Sequence, residues 1–334
     1  MAEPRWIELS GDELLDREAL SLAAATVKTV VSNSYPISFT HILNPFRAKV
    51  DSGHWIASRV TWQTLRIAHA RARAHGLDVD CCAVILPGDE SAVEEPVGRI
   101  AYLNRTIQDI KRLKPPRLFP LIEDVLTAGA SGSLGSHVIF SNMDISVKPD
   151  FYLALADLVT GKLGTDVPFT VHRSNIDPSL ALGSLEQMYE ASGPLGIGYD
   201  CFVIPKNLVQ DLDLGTCCIG APHFDYLLFM ALDARSGHRA KSMTQERLTF
   251  HLGNDIAWVA MIDYVEHNLS ESLEAIARMR KRYDIVPHSA FERMDGRHFQ
   301  RNALLSSRIL RKIRRIPSLS WLLLRIRRAM GRQF

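Results

Sequence analysis

The chain has 334 residues, 46% of them hydrophobic and 23% charged, with ordinary glycine and proline content; this is a globular composition, long enough for one large α/β domain with extensions. No apolar run reaches the length of a membrane-spanning helix, and the start, Met1-Ala-Glu-Pro-Arg-Trp, leads into acidic amphipathic sequence, so no signal peptide is expected. The net charge of +2 hides an asymmetry: residues 301–334 hold ten Lys or Arg and no acid, which leaves 29 basic against 37 acidic residues in the rest, a body of −8 with a basic tail that suggests an anionic surface partner.

Residues 11–31 carry acidic residues early and leucines among alanines, the pattern of a packing helix. Pro36 to Leu43 reads as the first core strand, ending at Asn44-Pro45-Phe46. Trp55 to His75 reads as a helix closed by Gly76, and Cys81 to Leu86 as a second strand ending at Pro87-Gly88-Asp89. Helices are expected at 105–111 and 120–128. The Gly/Ser-rich stretch 128–135 reads as a loop; it is not a P-loop, because no Lys-Ser/Thr follows its last glycine. His137 to Phe140 is an apolar run suited to a buried strand; it turns polar at Ser141-Asn142-Met143-Asp144, and Pro149 precedes an amphipathic helix from Phe151. The alternation of strand and helix predicts a mostly parallel sheet with helices on both faces.

The second half is less regular. Residues 169–176 and 198–204 read as strands, 218–230 as a loop feeding a helix with Pro222 near its start, 248–255 as a short strand turning at Gly253, and 258–267 as a helix. The five cysteines, an odd number with two adjacent pairs (Cys81-Cys82 and Cys217-Cys218), suggest neither a disulfide framework nor a zinc spacing. They read as small core residues in a reducing cytoplasm.

The segment 136–152 carries the chemistry. A buried strand that delivers an amide and a carboxylate at its C-terminal end suits the ligand edge of an open α/β sheet, where oxygen ligands handle hard cations and diphosphates. Asn142 and Asp144 are therefore read as holding a metal–diphosphate group; a strand end with a helix-capping Asp is the plainer alternative.

Taken in order, Ser-Asn-Met-Asp-Ile after a strand, Gly-Tyr-Asp-Cys-Phe-Val-Ile-Pro, Ile-Gly-Ala-Pro-His-Phe-Asp, and Thr-Phe-His-Leu-Gly-Asn-Asp with Trp258 resemble the GT-A type of nucleotide-diphosphosugar glycosyltransferase. The likeness is to a bacterial group with a Ser/Thr-Asn-x-Asp-Ile variant of the Asp-x-Asp motif, and it covers about residues 36–267. It implies a GT-A-like α/β domain over 36–300, between an N-terminal helical extension (1–35) and the tail (301–334). It also implies Mn²⁺ or Mg²⁺ held by Asp144 and His251, with Asn142 in place of the first Asp, and a nucleotide-sugar donor met by Ser141 and Asn142. Asn44 and Asp89 would flank the base, Arg105 and Asp109 would meet diphosphate or ribose, and Arg173 would meet donor or acceptor. Asp225 would be the catalytic base of an inverting enzyme, with Asp200 as second candidate for base or acceptor contact. In a retaining enzyme both assignments fall. Each residue has a plainer reading: a structural His on a strand, an acid in a helix's first turn, a surface ion pair.

Residues 304–330 form two amphipathic segments broken at Pro317, with an Ile/Leu stripe, Trp321 and many arginines. This pattern suits a helix lying on anionic lipid, with a partner helix or a nucleic-acid arm as the alternatives. The resulting expectation is a cytoplasmic, metal-dependent glycosyltransferase, peripheral on the inner membrane face and acting on a surface-glycan or lipid-linked acceptor, with no nucleic-acid partner. Two other readings stay open. A nucleotidyltransferase would carry a Gly-rich loop after the first strand, where this chain reads His-Ile-Leu-Asn-Pro-Phe-Arg-Ala-Lys; a non-catalytic membrane adaptor on the same fold would tolerate Asn142.

Overall fold

The computed structural model describes residues 35–196, 198–253 and 261–285. The N-terminal extension, the Asn254-Asp255-Trp258 segment and the tail lie outside the described residues. Two compact units are present: one takes in 35–102, 129–206 and 242–253, the other 103–128, 207–241 and 261–285.

The larger unit is built on continuous apolar runs. Strands β1 (Ser38–Leu43), β2 (Asp78–Ile85), β3 (Arg99–Tyr102) and β4 (His137–Ser141) lie parallel in the order β3-β2-β1-β4. β1, β2 and β4 are almost wholly buried, which explains why consecutive apolar residues such as Cys81 to Ile85 and Val138 to Phe140 take the place of an alternating pattern. Helix α1 (Gly53–Ala74) is capped by Ser52, whose hydroxyl accepts from the Trp55 amide, and Gly76 follows it at φ 76°. Trp62, Leu65, Ala68 and Ala72 of α1 join the core formed with Phe39, Leu43, Ile139 and Phe151.

Between β3 and β4 come the single turn α2 (Ile107–Ile110) and α3 (Ile122–Ala130). After β4 the short β5 (Ser146–Val147) leads into α4 (Phe151–Asp157). The sequence expects one strand over 169–176. The structure divides it at His172: β6 (Phe169–Val171) pairs antiparallel with β8 (Cys201–Pro205) in the large sheet, while β7 (Arg173–Ile176) pairs with β10 (Thr249–Leu252) in a second sheet ordered β5-β10-β7. α5 (Leu185–Glu190) lies between β7 and β8, and β9 (Lys241–Met243) completes the large sheet beyond β6. The whole sheet therefore runs β3-β2-β1-β4-β8-β6-β9, parallel on the β1 side and turned antiparallel at β8.

The smaller unit contains α6 (Phe224–Arg235) and α7 (Ile262–Met279). It has its own apolar cluster of Ile107, Leu113, Leu121, Cys218, Ala221 and Tyr264. All five cysteines are buried and free, as the sequence suggests. Among the described residues no helix is long and apolar enough to cross a membrane.

Candidate active site

Because β1, β2 and β4 are parallel, their C-terminal ends share one edge of the sheet, and the polar exits of the three strands meet there. Asn44, just past β1, donates its amide to the Val84 carbonyl of β2 at 2.6 Å, and Asp89 accepts from the Arg47 amide at 3.0 Å. These two side chains tie the first two exits together.

The exit of β4 is the densest point. Ser141 is buried, and its hydroxyl lies 2.9 Å from Nε2 of His41, whose Nδ1 is 2.8 Å from the Tyr152 hydroxyl. Burial drives the His41 pKa down to about 3, so this interior chain of hydrogen bonds is uncharged at neutral pH. It braces the strand from inside, and Asn142 follows at its tip. The Asn142 backbone N–H donates to the Asp200 carbonyl, its side-chain amide donates to the Asp200 carboxylate at 3.4 Å, and its side-chain carbonyl oxygen is buried without a hydrogen bond among the described residues. Ile145 N–H closes a turn on the Asn142 carbonyl at 3.1 Å, and Asp144 sits inside that turn.

β10 sits beside β5 in the second sheet, and from it His251 reaches Asp144, with Nε2 3.3 Å from the carboxylate. The other ring nitrogen is 3.0 Å from the Gly253 carbonyl; a proton on Nδ1 donated there fixes the ring and aims Nε2 at Asp144. Burial alone would pull the His251 pKa down, but the bond to Asp144, that carboxylate's charge and the Gly253 carbonyl bring it above its ordinary value. Burial alone would push Asp144 up; the bond and charge of His251, helped by Arg173 and His54, bring it below the usual carboxylate value.

Arg173, at the start of β7, forms an ion pair with Asp200, each side chain about 13% exposed. Asn175 lies two residues on, on the same face of the strand, and its side-chain oxygen accepts from Arg173 Nε at 3.0 Å. Room for this comes from glycine: a Cβ on Gly196 would sit 2.7 Å from the Arg173 side chain, and one on Gly193 would overlap the Asn175 carbonyl. Burial raises the Asp200 pKa, the Arg173 charge opposes that, and Asp144 adds to it; the balance lies above the ordinary value.

The larger unit thus brings together Asn142, Asp144, Asp200, Arg173 and His251 from four separated stretches of sequence. Arg105 and Asp109 belong to the smaller unit: Arg105 makes a two-pronged ion pair with Asp124 at 2.7 and 2.8 Å, and Asp109 closes a capping box with Thr106. Asp225 occupies the first turn of α6, also in the smaller unit. It follows His223, which adopts φ 87° and ψ −24° after Pro222. Proline followed by a positive-φ residue is the geometry of a type II turn, where glycine is the usual occupant. Sequence reading missed Asn175 and His54. Asn175 had a signal, the i, i+2 spacing from Arg173 on a strand; His54, in the first turn of α1, had none.

No protein-family model matches the chain, and no curated protein matches it by sequence. Solved structures do match. The chain superposes on residues 1–349 of S. aureus TarS in complex with UDP-GlcNAc with a TM-score of 0.52 at 8% identity, covering 82% of this chain and 76% of that one. The fold is of the GT-A type. Other matches, with lower TM-scores, are M. tuberculosis glucosyl-3-phosphoglycerate synthase (0.40 at 14% identity, 86% of this chain and 88% of that one) and mannosyl-3-phosphoglycerate synthase from Rubrobacter xylanophilus (0.41 at 13% identity, 82% and 78%). Within this GT-A-type fold, the β4 exit carries Asn142 and Asp144 at the C-terminal edge of the sheet, where open α/β folds take their ligands.

The donor set fits a single divalent cation completed by a substrate. Two ligands at right angles, each about 2.1 Å from a metal, lie about 3 Å apart, close to the 3.3 Å between Asp144 and His251. Asn142, two residues before Asp144, keeps a buried neutral oxygen that accepts no hydrogen bond among the described residues. Among the described residues no three His, Cys, Asp or Glu side chains converge as a complete cage; magnesium-type sites use one or two carboxylates and draw the rest from substrate phosphates and water.

Proposed function

We propose that this protein is a glycosyltransferase that moves a sugar from a nucleotide-diphosphate donor to a surface-glycan or lipid-linked acceptor at the cytoplasmic face of the membrane. The observation that carries the reading is the cluster of Asn142, Asp144 and His251 at the β4 exit of a GT-A-type fold. The UDP-GlcNAc bound in the TarS structure supports a sugar nucleotide as the donor class.

Asp144 and His251 would hold Mn²⁺ or Mg²⁺, with the Asn142 oxygen beside them. Such an ion offsets the charge that develops on a departing nucleoside diphosphate. The remaining work falls to the chain. Asn44 and Asp89 shape the strand exits that face the base. Arg173, fixed by Asn175 and Asp200, supplies a permanent positive charge next to the cluster. Asp225 is the proposed base for the acceptor hydroxyl in an inverting reaction, with Asp200 second; a base needs geometry before pKa. The basic, apolar segment 301–334 would keep the enzyme at anionic lipid.

A thermal-shift series over sugar nucleotides, with and without Mn²⁺, tests the proposal. A donor at a hundred times its Kd stabilises by about 2.7 kcal/mol, and Asp144→Ala is expected to remove that shift. Release of nucleoside diphosphate by the wild-type chain separates an enzyme from an adaptor. A chain that shifts with no nucleotide at all would refute the reading.

A further inference from the structure

The smaller unit carries a surface that the transferase reading does not use. From Ile110 to Leu118 the chain reads Ile-Lys-Arg-Leu-Lys-Pro-Pro-Arg-Leu: four basic residues and no acid, in a chain whose first 300 residues are net acidic. Lys111, Arg112, Lys114 and Arg117 are all exposed, and among the described residues none of the four makes an ion pair. Two aliphatic side chains stand out among them, Ile110 at 43% and Leu118 at 67% exposed.

This segment is held from behind. Leu113 is buried in the cluster with Ile107, Leu121 and Tyr264. The Tyr264 hydroxyl donates to the Pro115 carbonyl and accepts from the Arg117 amide and the Gln108 side chain, each at 2.7 Å. Asp263 accepts from the Lys114 backbone N–H at 3.3 Å, and the Phe119 ring packs edge-on against Tyr264 at 5.0 Å. Two acids that flank the loop are engaged locally: Asp263 in that bond, and Asp109 with the Thr106 amide and hydroxyl. The exposed side chains are thus carried on a backbone that is fixed from behind.

We propose that residues 110–118 are a membrane-docking surface that seats the protein on anionic lipid, independently of segment 301–334 and of the transferase reading. The chemistry selects lipid over nucleic acid. Of the exposed side chains from 110 to 118 none is aromatic, so the ring platform on which single-stranded bases stack is absent from the segment, whereas Ile110 and Leu118 suit the acyl boundary and the four cations suit the headgroups.

The test is partition of the full-length chain onto vesicles rich in phosphatidylglycerol, in salt that keeps wild-type binding below saturation. Each basic residue replaced by Gln is expected to weaken partition about fivefold, and the variant K111Q/R112Q/K114Q/R117Q at least about a hundredfold. Ile110→Ser with Leu118→Ser is expected to weaken it about tenfold or more, with the thermal midpoint of both variants held at the wild-type value. Unchanged partition in either variant overturns the proposal. So does a variant that keeps vesicle binding and loses only a soluble polyanion such as polyphosphate, because the surface would then serve a dissolved ligand. Failure here leaves the nucleotide thermal shift untouched, so the two proposals fall separately.

Discussion

The cluster at the β4 exit and the loop at 110–118 are both rich in charge, and they handle it in opposite ways. At the β4 exit every charge has a partner: Asp144 faces His251 and Asp200 faces Arg173, with the Arg173–Asp200 side chains nearly buried. At 110–118 four cations stand in solvent, and what is fixed is the backbone beneath them. Buried, compensated charge recognises a ligand by geometry, because each group has one place to be and desolvation makes misplacement costly. Exposed, uncompensated charge recognises a surface by its field, tolerates movement of the side chains and weakens with salt.

That contrast can be broken at four points. The largest effect is expected from Asp144→Ala: the proposed sugar transfer should fall at least about a thousandfold, as when a group that holds transition-state charge is removed, while the folded chain keeps its thermal midpoint within a few degrees. A variant with near-normal turnover in a coupled nucleoside-diphosphate assay would remove Asp144 from the chemistry. Next is Arg173→Ala. It strands the Asp200 carboxylate in a nearly dry site and should cost about 3 kcal/mol in urea unfolding; adding Asp200→Asn should return most of that loss, since the stranded charge is gone. If the double variant is no more stable than the single one, the pair is not coupled as its geometry implies.

A smaller effect is expected behind the loop. Tyr264→Phe keeps the ring against Phe119 but deletes the hydroxyl that serves Pro115, Arg117 and Gln108; about 2 kcal/mol of stability should be lost, with faster amide exchange at Arg117 than elsewhere in the unit. Uniform exchange would mean that the loop is not held there. The smallest concerns acid. Arg278 grips Asp213 through Nε and Nη2 at 2.6–3.2 Å and holds that carboxyl below its ordinary value. A depressed folded-state pKa contributes stability above the unfolded-state value and loses it as pH falls through the folded one. The thermal midpoints of wild type and Asp213→Asn should therefore differ near neutral pH and converge as acid protonates the folded-state carboxyl, below the ordinary carboxylate range. The gap should be well under 1 kcal/mol, because both side chains are partly exposed and water screens the pair. A gap that widens on acidification would reverse the assigned sign.

Several elements were legible because their signal is local. The runs Cys81 to Ile85 of β2 and Val138 to Phe140 of β4 are buried on both faces and so are continuously apolar, and α1 shows its closing glycine. The strand from 169 to 176 was half legible. Its residues favour extended backbone, but the change of sheet at His172 depends on β8 and β10, whose residues lie 25 or more positions further along. In the site, Asn142 and Asp144 were visible as a polar exit from an apolar strand, and His251 through the ordered motif. The Ser141–His41–Tyr152 chain and the grip of Asn175 on Arg173 were not, since each depends on which faces of distant elements come together.

By itself the sequence determined the alternation of strands and helices, the free buried cysteines and the polar strand exits, all consequences of hydrophobic periodicity and turn chemistry within a few residues. The tertiary structure decided which charges meet. Arg173 and Arg105 look alike in sequence, yet one is set beside Asp200 and the other on Asp124. The energy of an ion pair depends on separation in space and on the water around it, and neither quantity is written in the order of residues along the chain.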